Sequence, residues 1–228
     1  MIKFSIVIPS RGRAKECFGA VDTLLAIAKN PQEVEVIIRI DEDDPQKELY
    51  VSNWPRVIVL VGPRYGGYAE NHKLIEEAVK QTKGEYIMQY VDMAEMLTPE
   101  WDRIYEECFR NHRLLVVGSR VVDGEGRMGY EWSFPLIPRE LYETTGEFCL
   151  GQNPSVDRCW KAFGDELDVL ELAPVSIIHH EKRGTGRLDI TAAETLPFYD
   201  ELNANWTVRS AEHRAVGKKY ADIVRAKL

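Results

Sequence analysis

Five short stretches of this chain place charged or imidazole side chains directly after runs that read as strands. In VIPSRGR, residues 7–13, an apolar run empties into Pro9, Ser10, Arg11, Gly12 and Arg13. The run EVEVIIRI, 33–40, is followed by Asp41 to Asp44, and RVIVLV, 56–61, by GPRYGGY with Tyr65, Gly66 and Gly67. EYIMQYV, 85–91, leads to Asp92, and a late run ends at His179 and His180, followed by EKRGTGRLD. Arginine forks match phosphate oxygens and also stack on bases. Asp41 is able to accept a hydrogen bond from a nucleobase N–H. Carboxylates suit Mg²⁺ or Mn²⁺, which bridge diphosphates, and Mn²⁺ tolerates an imidazole. The mixture fits a phosphorylated ligand, with or without a divalent metal, and fits an apolar ligand badly.

The elements that must position these groups alternate. Strands are expected at 3–8, 33–40, 56–61, 85–91, 114–120 and near 174–179. Between them lie helical patterns at 14–29, at 69–84 with Asn71 and Lys73 near its start, and from Pro99. This order predicts a layered α/β fold with a largely parallel sheet. In such sheets ligands bind beyond the carboxyl ends of the strands, so the five stretches are expected to meet along one rim. Residues 123–153, rich in Gly, Pro and aromatics, read as irregular with a short helix near 138–144; a helix is expected near 155–163, and two helices from about 190.

The bulk numbers bound the rest. A chain of 228 residues with net charge −8 suits one sizeable domain and argues against a general nucleic-acid binder. The four cysteines show no C-x-x-C pair and read as reduced thiols, which points to the cytoplasm. No apolar run has membrane-spanning length and no signal-peptide pattern opens the chain. There is no G-x-x-x-x-G-K-[ST], no G-x-G-x-x-G after a strand, no H-E-x-x-H and no nucleophile elbow at Ser10. These absences disfavour a P-loop kinase, a Rossmann dehydrogenase and a serine hydrolase.

The stretches FSIVIPSRGR, VIIRIDEDDP, RYGGYAENHKLIEEAVKQTKGEYIMQYVDM, NPSVDRCWKAFG and the late HH span roughly residues 3–190. In order and spacing the chain resembles the family 2 glycosyltransferases. With IDEDDP, LTPEWD and HH it looks most like short single-domain members, including those encoded by bacteriophages. The resemblance implies a GT-A fold: a mixed, mainly parallel sheet flanked by helices over 1–190, with a C-terminal helical extension over 191–228. It implies an inverting transfer of a hexosyl or pentosyl group from a nucleotide-diphosphate sugar, by default a UDP-sugar, to an acceptor hydroxyl. The acceptor (saccharide, small molecule, or less favourably modified DNA) and the oligomeric state stay open. Carried over residue by residue, it gives Pro9, Ser10, Arg11, Arg13, Asp41, Tyr65, Gly66, Gly67, Asn71, Lys73 and Arg183 as donor-binding candidates. Asp157 would be the general base, and Asp92 with His179 or His180 the ligands of Mn²⁺ or Mg²⁺. Where similar proteins often carry two or three acidic residues, this chain has Tyr90-Val91-Asp92. The stretch 180–189 has the glycines and cations of a flap that could close over a diphosphate.

Several of these residues also have structural uses. Asp43 and Asp44 suit an exposed acidic turn, and Asp157 suits the first turn of a helix. Gly66 and Gly67 could serve a loop that needs positive φ. Trp101 and Trp160 fit a core better than a sugar platform. Alternation sends His179 and His180 to opposite faces of a strand. A nucleotidyltransferase of the same fold and a non-catalytic nucleotide-sugar binder are the competing readings.

Overall fold

The computed structural model describes residues 1–66, 70–110, 112, 114–122, 128–180 and 206–227, with backbone alone at 128–132 and 206–209. Gly67 and Arg183 therefore lie outside the described residues, as does the stretch 181–205. The elements run β1 (Phe4–Pro9), α1 (Ala14–Ile27), β2 (Val34–Asp41), β3 (Val57–Gly62), α2 (Asn71–Val79), β4 (Tyr86–Gln89), β5 (Ala94–Met96), α3 (Trp101–Phe109), β6 (Val116–Val122), β7 (Met128–Pro138), α4 (Arg139–Thr145), α5 (Val156–Leu167), β8 (Leu170–His179) and α6 (Trp206–Lys227).

The strands form an eight-stranded sheet ordered β3-β2-β1-β4-β7-β6-β8-β5. β3, β2, β1 and β4 are parallel to one another. β7 is antiparallel to both β4 and β6, β8 runs parallel to β6, and β5 pairs antiparallel with β8. Two antiparallel steps restore direction, so β8 points the same way as β1, β2 and β4.

The near-continuous apolar composition of β1 and β2 follows from burial on both faces. On one face Phe4, Ile6, Ile8, Val36 and Ile38 meet α1 and α3. On the other, Val7, Ile37, Ile87 and Ile137 meet Ile75 of α2, Leu141 of α4, Trp160 of α5 and Tyr220 of α6. Trp101 and Trp160 are fully buried, and their indole N–H groups reach the carbonyls of Leu24 at 2.8 Å and Phe148 at 2.7 Å. They are core residues, and the four cysteines are free thiols. α6 lies against α5 so closely that a Cβ on Gly217 would stand 2.6 Å from the backbone of Ala162 and Phe163. No helix among the described residues is long and apolar enough to cross a membrane.

One expectation needs correction, one strand was not foreseen, and one expected helix lies outside the described residues. Residues 128–138, expected to be irregular, form the strand β7. Its alternating signal is broken by register shifts against β6, and Phe134 sits at φ 55°, so no regular two-residue period shows. The three-residue β5 is too short to leave a pattern. At the C-terminus the described residues hold one helix from Trp206, and the other expected helix falls outside them.

Candidate functional site

The parallel order of β1, β2, β3 and β4 delivers their following turns to one rim. β1 leaves the sheet at Ser10, whose amide donates to the Arg39 carbonyl at 3.0 Å. The chain then turns at Gly12, which has φ +65°, a conformation glycine adopts without the steric cost of a Cβ. Asp44 Oδ2 accepts from the Gly12 amide at 2.8 Å while its Oδ1 accepts from the Gln46 amide at 2.7 Å. Asp44, expected on an exposed turn, is therefore buried and shapes the arginine turn.

Two carboxylate–guanidinium groups are built on this turn. Asp92 is 3% exposed, and its Oδ2 accepts from Ser10 Oγ at 2.8 Å and pairs with Arg13 Nε at 2.8 Å. Tyr50 closes this group, with its hydroxyl 2.9 Å from Ser10 Oγ and 3.2 Å from the Arg13 amide. Burial pushes the Tyr50 hydroxyl up to a pKa of about 12, so it stays a neutral hydroxyl. Beside it, Arg11 Nη1 donates to Asp41 Oδ2 at 3.0 Å and to Asp43 Oδ1 at 2.6 Å, and Arg11 Nη2 reaches Asp43 Oδ2 at 3.3 Å. Arg64 Nη1 also donates to Asp43, at 3.4 Å. The hydrogen bond from Arg11 holds the exposed Asp43 carboxyl below its usual range, whereas burial raises that of Asp41, an effect Arg11 and Arg39 oppose. Both predicted arginines thus carry carboxylate partners. Asp43 is the one on the solvent side, and an incoming diphosphate would compete with it for Arg11.

Arg39 lies beneath this layer, fully buried. Its Nε donates to Glu77 Oε2 at 2.7 Å and its Nη2 to the Pro63 carbonyl at 2.8 Å; Nη1 donates to the Ile40 carbonyl and stands 3.5 Å from Asp41 Oδ1. Glu77 also accepts from the Tyr65 hydroxyl, and the Arg39 guanidinium lies 6.0 Å from the Tyr65 ring centre. Gly66 does not take a positive φ; its amide donates to Glu70 at 2.6 Å, and a Cβ there would meet the same carboxylate oxygen at 2.8 Å. Lys73 pairs with Glu70 rather than with the arginine turn, and Asn71 opens α2 at the rim.

The candidate metal ligands come near one another through the backbone. The His180 amide donates to the Met93 carbonyl at 2.9 Å, and His179 is paired with Ala94. The two imidazoles have different neighbours: His179 lies edge-on to Phe134, with ring centres 6.1 Å apart, and His180 Nε2 lies 2.9 Å from Glu95 Oε1. Among the described residues no three His, Cys, Asp or Glu side chains are gathered to hold an ion. Asp92 Oδ2 is already shared by Ser10 and Arg13. These residues do not make a metal shell by themselves.

Asp157 reaches the rim by a different route. α5 ends at Leu167, where the Val169 amide bonds to Gly164 and its carbonyl receives the Val116 amide at the start of β6. That is the end of the sheet where the parallel strands begin, so the opposite end of α5, with Asp157 in its first turn, points toward the rim where they finish. Among the described residues no hydrogen bond or ion pair joins Asp157 to the arginine turn. The carboxyl is pushed above its ordinary range by desolvation, against the pull of Arg158 and backbone amides of its own turn. The residue as a whole is half-buried.

Tyr50, Arg39, Glu77 and Asp44 were not foreseen. A charged residue inside the buried run VEVIIRID is a usable signal for Arg39, because a buried guanidinium needs partners. Tyr50 carries no local signal.

No protein-family model matches the chain, and no curated protein shows significant similarity. Solved structures do. The structure of S. aureus TarS 1–349 in complex with UDP-GlcNAc aligns with a TM-score of 0.62 at 14% identity, covering 97% of this chain and 72% of that one. The same TarS piece in complex with UDP gives 0.59 at 14% identity, covering 79% and 59%. A longer S. aureus TarS structure gives 0.60 at 16% identity, covering 79% and 36%. The chain thus spans less than two thirds of these last two TarS structures. The architecture is a GT-A-like glycosyltransferase fold.

Proposed function

We propose that this protein is an inverting glycosyltransferase that moves a hexosyl or pentosyl group from a nucleoside-diphosphate donor to an acceptor hydroxyl. The observation that carries the reading is the gathering of Arg11 and Arg13 with Asp41 and Asp92 at the strand-end rim of a GT-A-like sheet. The likeness to TarS structures holding UDP and UDP-GlcNAc supports a uridine donor.

In this reading Asp157 takes the proton of the acceptor hydroxyl. The acceptor oxygen forms a bond to the anomeric carbon as the bond from that carbon to the β-phosphate oxygen breaks on the opposite face. The electron pair leaves with the nucleoside diphosphate, and Arg11 and Arg13 meet the charge that develops there. The raised pKa of Asp157 suits the task, since a more basic carboxylate is a better proton acceptor. Asp92 and one late histidine would hold a divalent ion, Mn²⁺ or Mg²⁺, which would supply positive charge beside the diphosphate. Four free thiols support a cytoplasmic setting.

The test incubates the protein with UDP-sugars and a panel of hydroxyl acceptors. Release of UDP together with a glycoside of inverted anomeric configuration, read by NMR, is the expected outcome. Absence of any nucleotide-sugar-induced rise in melting temperature would contradict the reading. Pyrophosphate formed from a nucleoside triphosphate would favour a nucleotidyltransferase instead.

A further inference from the structure

Arg39 sits too deep to serve as a phosphate ligand, and the mechanism above does not use it. Among the described residues it is the only charged side chain in the group of largest fully buried ones, and every arm of its fork is engaged. Two of those engagements lead back to the rim. One is Asp41, whose Oδ2 is held by Arg11, while its Oδ1 is buried, lies 3.5 Å from Arg39 Nη1 and has no hydrogen-bond partner. The other is Glu77, which bonds Arg39 with one oxygen and the Tyr65 hydroxyl with the other. The chain keeps room for this fork: a Cβ on Gly62 would fall 2.7 Å from Arg39 Nη2.

We propose that Arg39 is a positioning residue for base selection: it holds Asp41 as an ionised, acceptor-only group with Oδ1 turned inward against the guanidinium, so that Oδ2 is left for the base, and through Glu77 it fixes the Tyr65 side chain. The inference rests on the reading of this rim as a nucleotide-sugar site and adds which bases it takes. An ionised carboxylate accepts hydrogen bonds and donates none. Asp41 Oδ2 accepts from Arg11 with one lone pair and keeps a second with which to accept a ring N–H. Uracil, thymine and guanine present a ring N–H next to a carbonyl. Cytosine and adenine present an unprotonated ring nitrogen there and would meet the carboxylate lone pairs head-on. The charged groups that face Asp41 are the Arg11 and Arg39 guanidiniums and the Asp43 carboxylate. Removing Arg39 leaves one cation to oppose desolvation. Asp41 then protonates at higher pH, becomes a donor, and loses its basis for discrimination.

The experiment is a calorimetric titration of UDP, GDP, CDP and ADP, with Mg²⁺ in the buffer, from pH 5 to 8. It uses the wild-type protein, Arg39→Met, Arg39→Lys and Gly62→Ala. Wild type is expected to bind UDP and GDP at least about tenfold more tightly than CDP and ADP, a gap of the size a mispaired buried polar contact creates. Arg39→Met is expected to bind UDP about tenfold more weakly, with its acid-side loss of binding moved to higher pH and most of the base preference gone. Arg39→Lys keeps the charge and loses the fork, so it restores the pH profile more than the affinity. Gly62→Ala pushes the fork aside without removing the charge, and it decides the question if Arg39→Met does not fold. Unchanged affinity, base preference and pH profile in the folded variants would overturn the role of Arg39, as would equal binding of UDP and CDP by wild type. Failure of wild type to bind any of the four would instead remove the nucleotide-site reading beneath it.

Discussion

The two halves of the sheet solve different problems. The half β3-β2-β1-β4 is parallel, and the turns leaving it are joined by short polar contacts: Ser10 to Asp92, Arg13 to Asp92, Arg11 to Asp41, and Arg39 to Glu77. The half β7-β6-β8-β5 is mixed, its register shifts three times between β6 and β7 and once between β6 and β8, and its weight lies in packing, with Trp160 and Phe163 of α5 pressed onto the sheet and α6 clamped over them. Parallel strands force every strand end on one side to coincide, which concentrates charge. Antiparallel returns spread strand ends over both edges, so there the same chain length goes into apolar burial. Asp157 is the exception, since the packed half carries it on the end of α5 that points toward the rim.

That exception gives the sharpest way to break the division of labour. Asp157→Asn should lower transfer by about 10²–10⁴-fold, the range for a general base, while UDP binding changes little. Retained transfer would leave the packed half with no chemical part. Ser10→Ala strips the hydroxyl donor from Asp92 Oδ2 and uncouples Tyr50, both buried. It should cost about 1–3 kcal/mol in urea unfolding and weaken UDP binding as well, because the arginine turn hangs on this contact. Gly217→Ala tests the other half. Its Cβ would press on the Ala162 and Phe163 backbone, and overpacking of this kind costs about 1–3 kcal/mol, partly offset by the better helix propensity of alanine. UDP affinity should not move. If Gly217→Ala weakened UDP binding as Ser10→Ala does, the halves would not be separable.

The ease of reading followed the same division. VIPSRGR, the acidic run from Asp41 and the lone Asp92 each lie within a few residues of a clear apolar strand, so their meeting at a rim followed from the parallel order. What escaped was tertiary. Asp44 turns inward because the Gly12 and Gln46 amides need an acceptor, and no local pattern reports that. Tyr50 arrives from a loop more than thirty positions away in the chain from Ser10 and Arg13. β7 was hidden by its irregular pairing and by Phe134 in the left-handed region, where a bulky side chain is seldom found. Lys73 looked equally suited to a ligand and to a helix start, and in the folded chain it pairs with Glu70.

The smallest effect expected concerns pH. The folded protein raises the carboxyl of Asp157 above its unfolded value. Such a group favours folding fully only below the unfolded pKa, about 3.9 for aspartate, and that contribution is lost as pH rises through the folded pKa. Asp157→Asn should therefore melt slightly higher than wild type at neutral pH, and the gap should close toward pH 4. Thermal melts across that interval read it directly, and a variant less stable at neutral pH would show that the carboxylate is held for stability rather than function.

The central claim is that one rim grips a nucleoside-diphosphate sugar between the arginine turn and Asp157. A crystal structure of the protein with an unhydrolysed UDP-sugar tests it most directly. The account predicts diphosphate oxygens within hydrogen-bond reach, about 3 Å, of Arg11 or Arg13, and room for one acceptor hydroxyl between the anomeric carbon and the Asp157 carboxylate. A donor bound away from β1 and β2, or an anomeric carbon with its open face turned from Asp157, would contradict it.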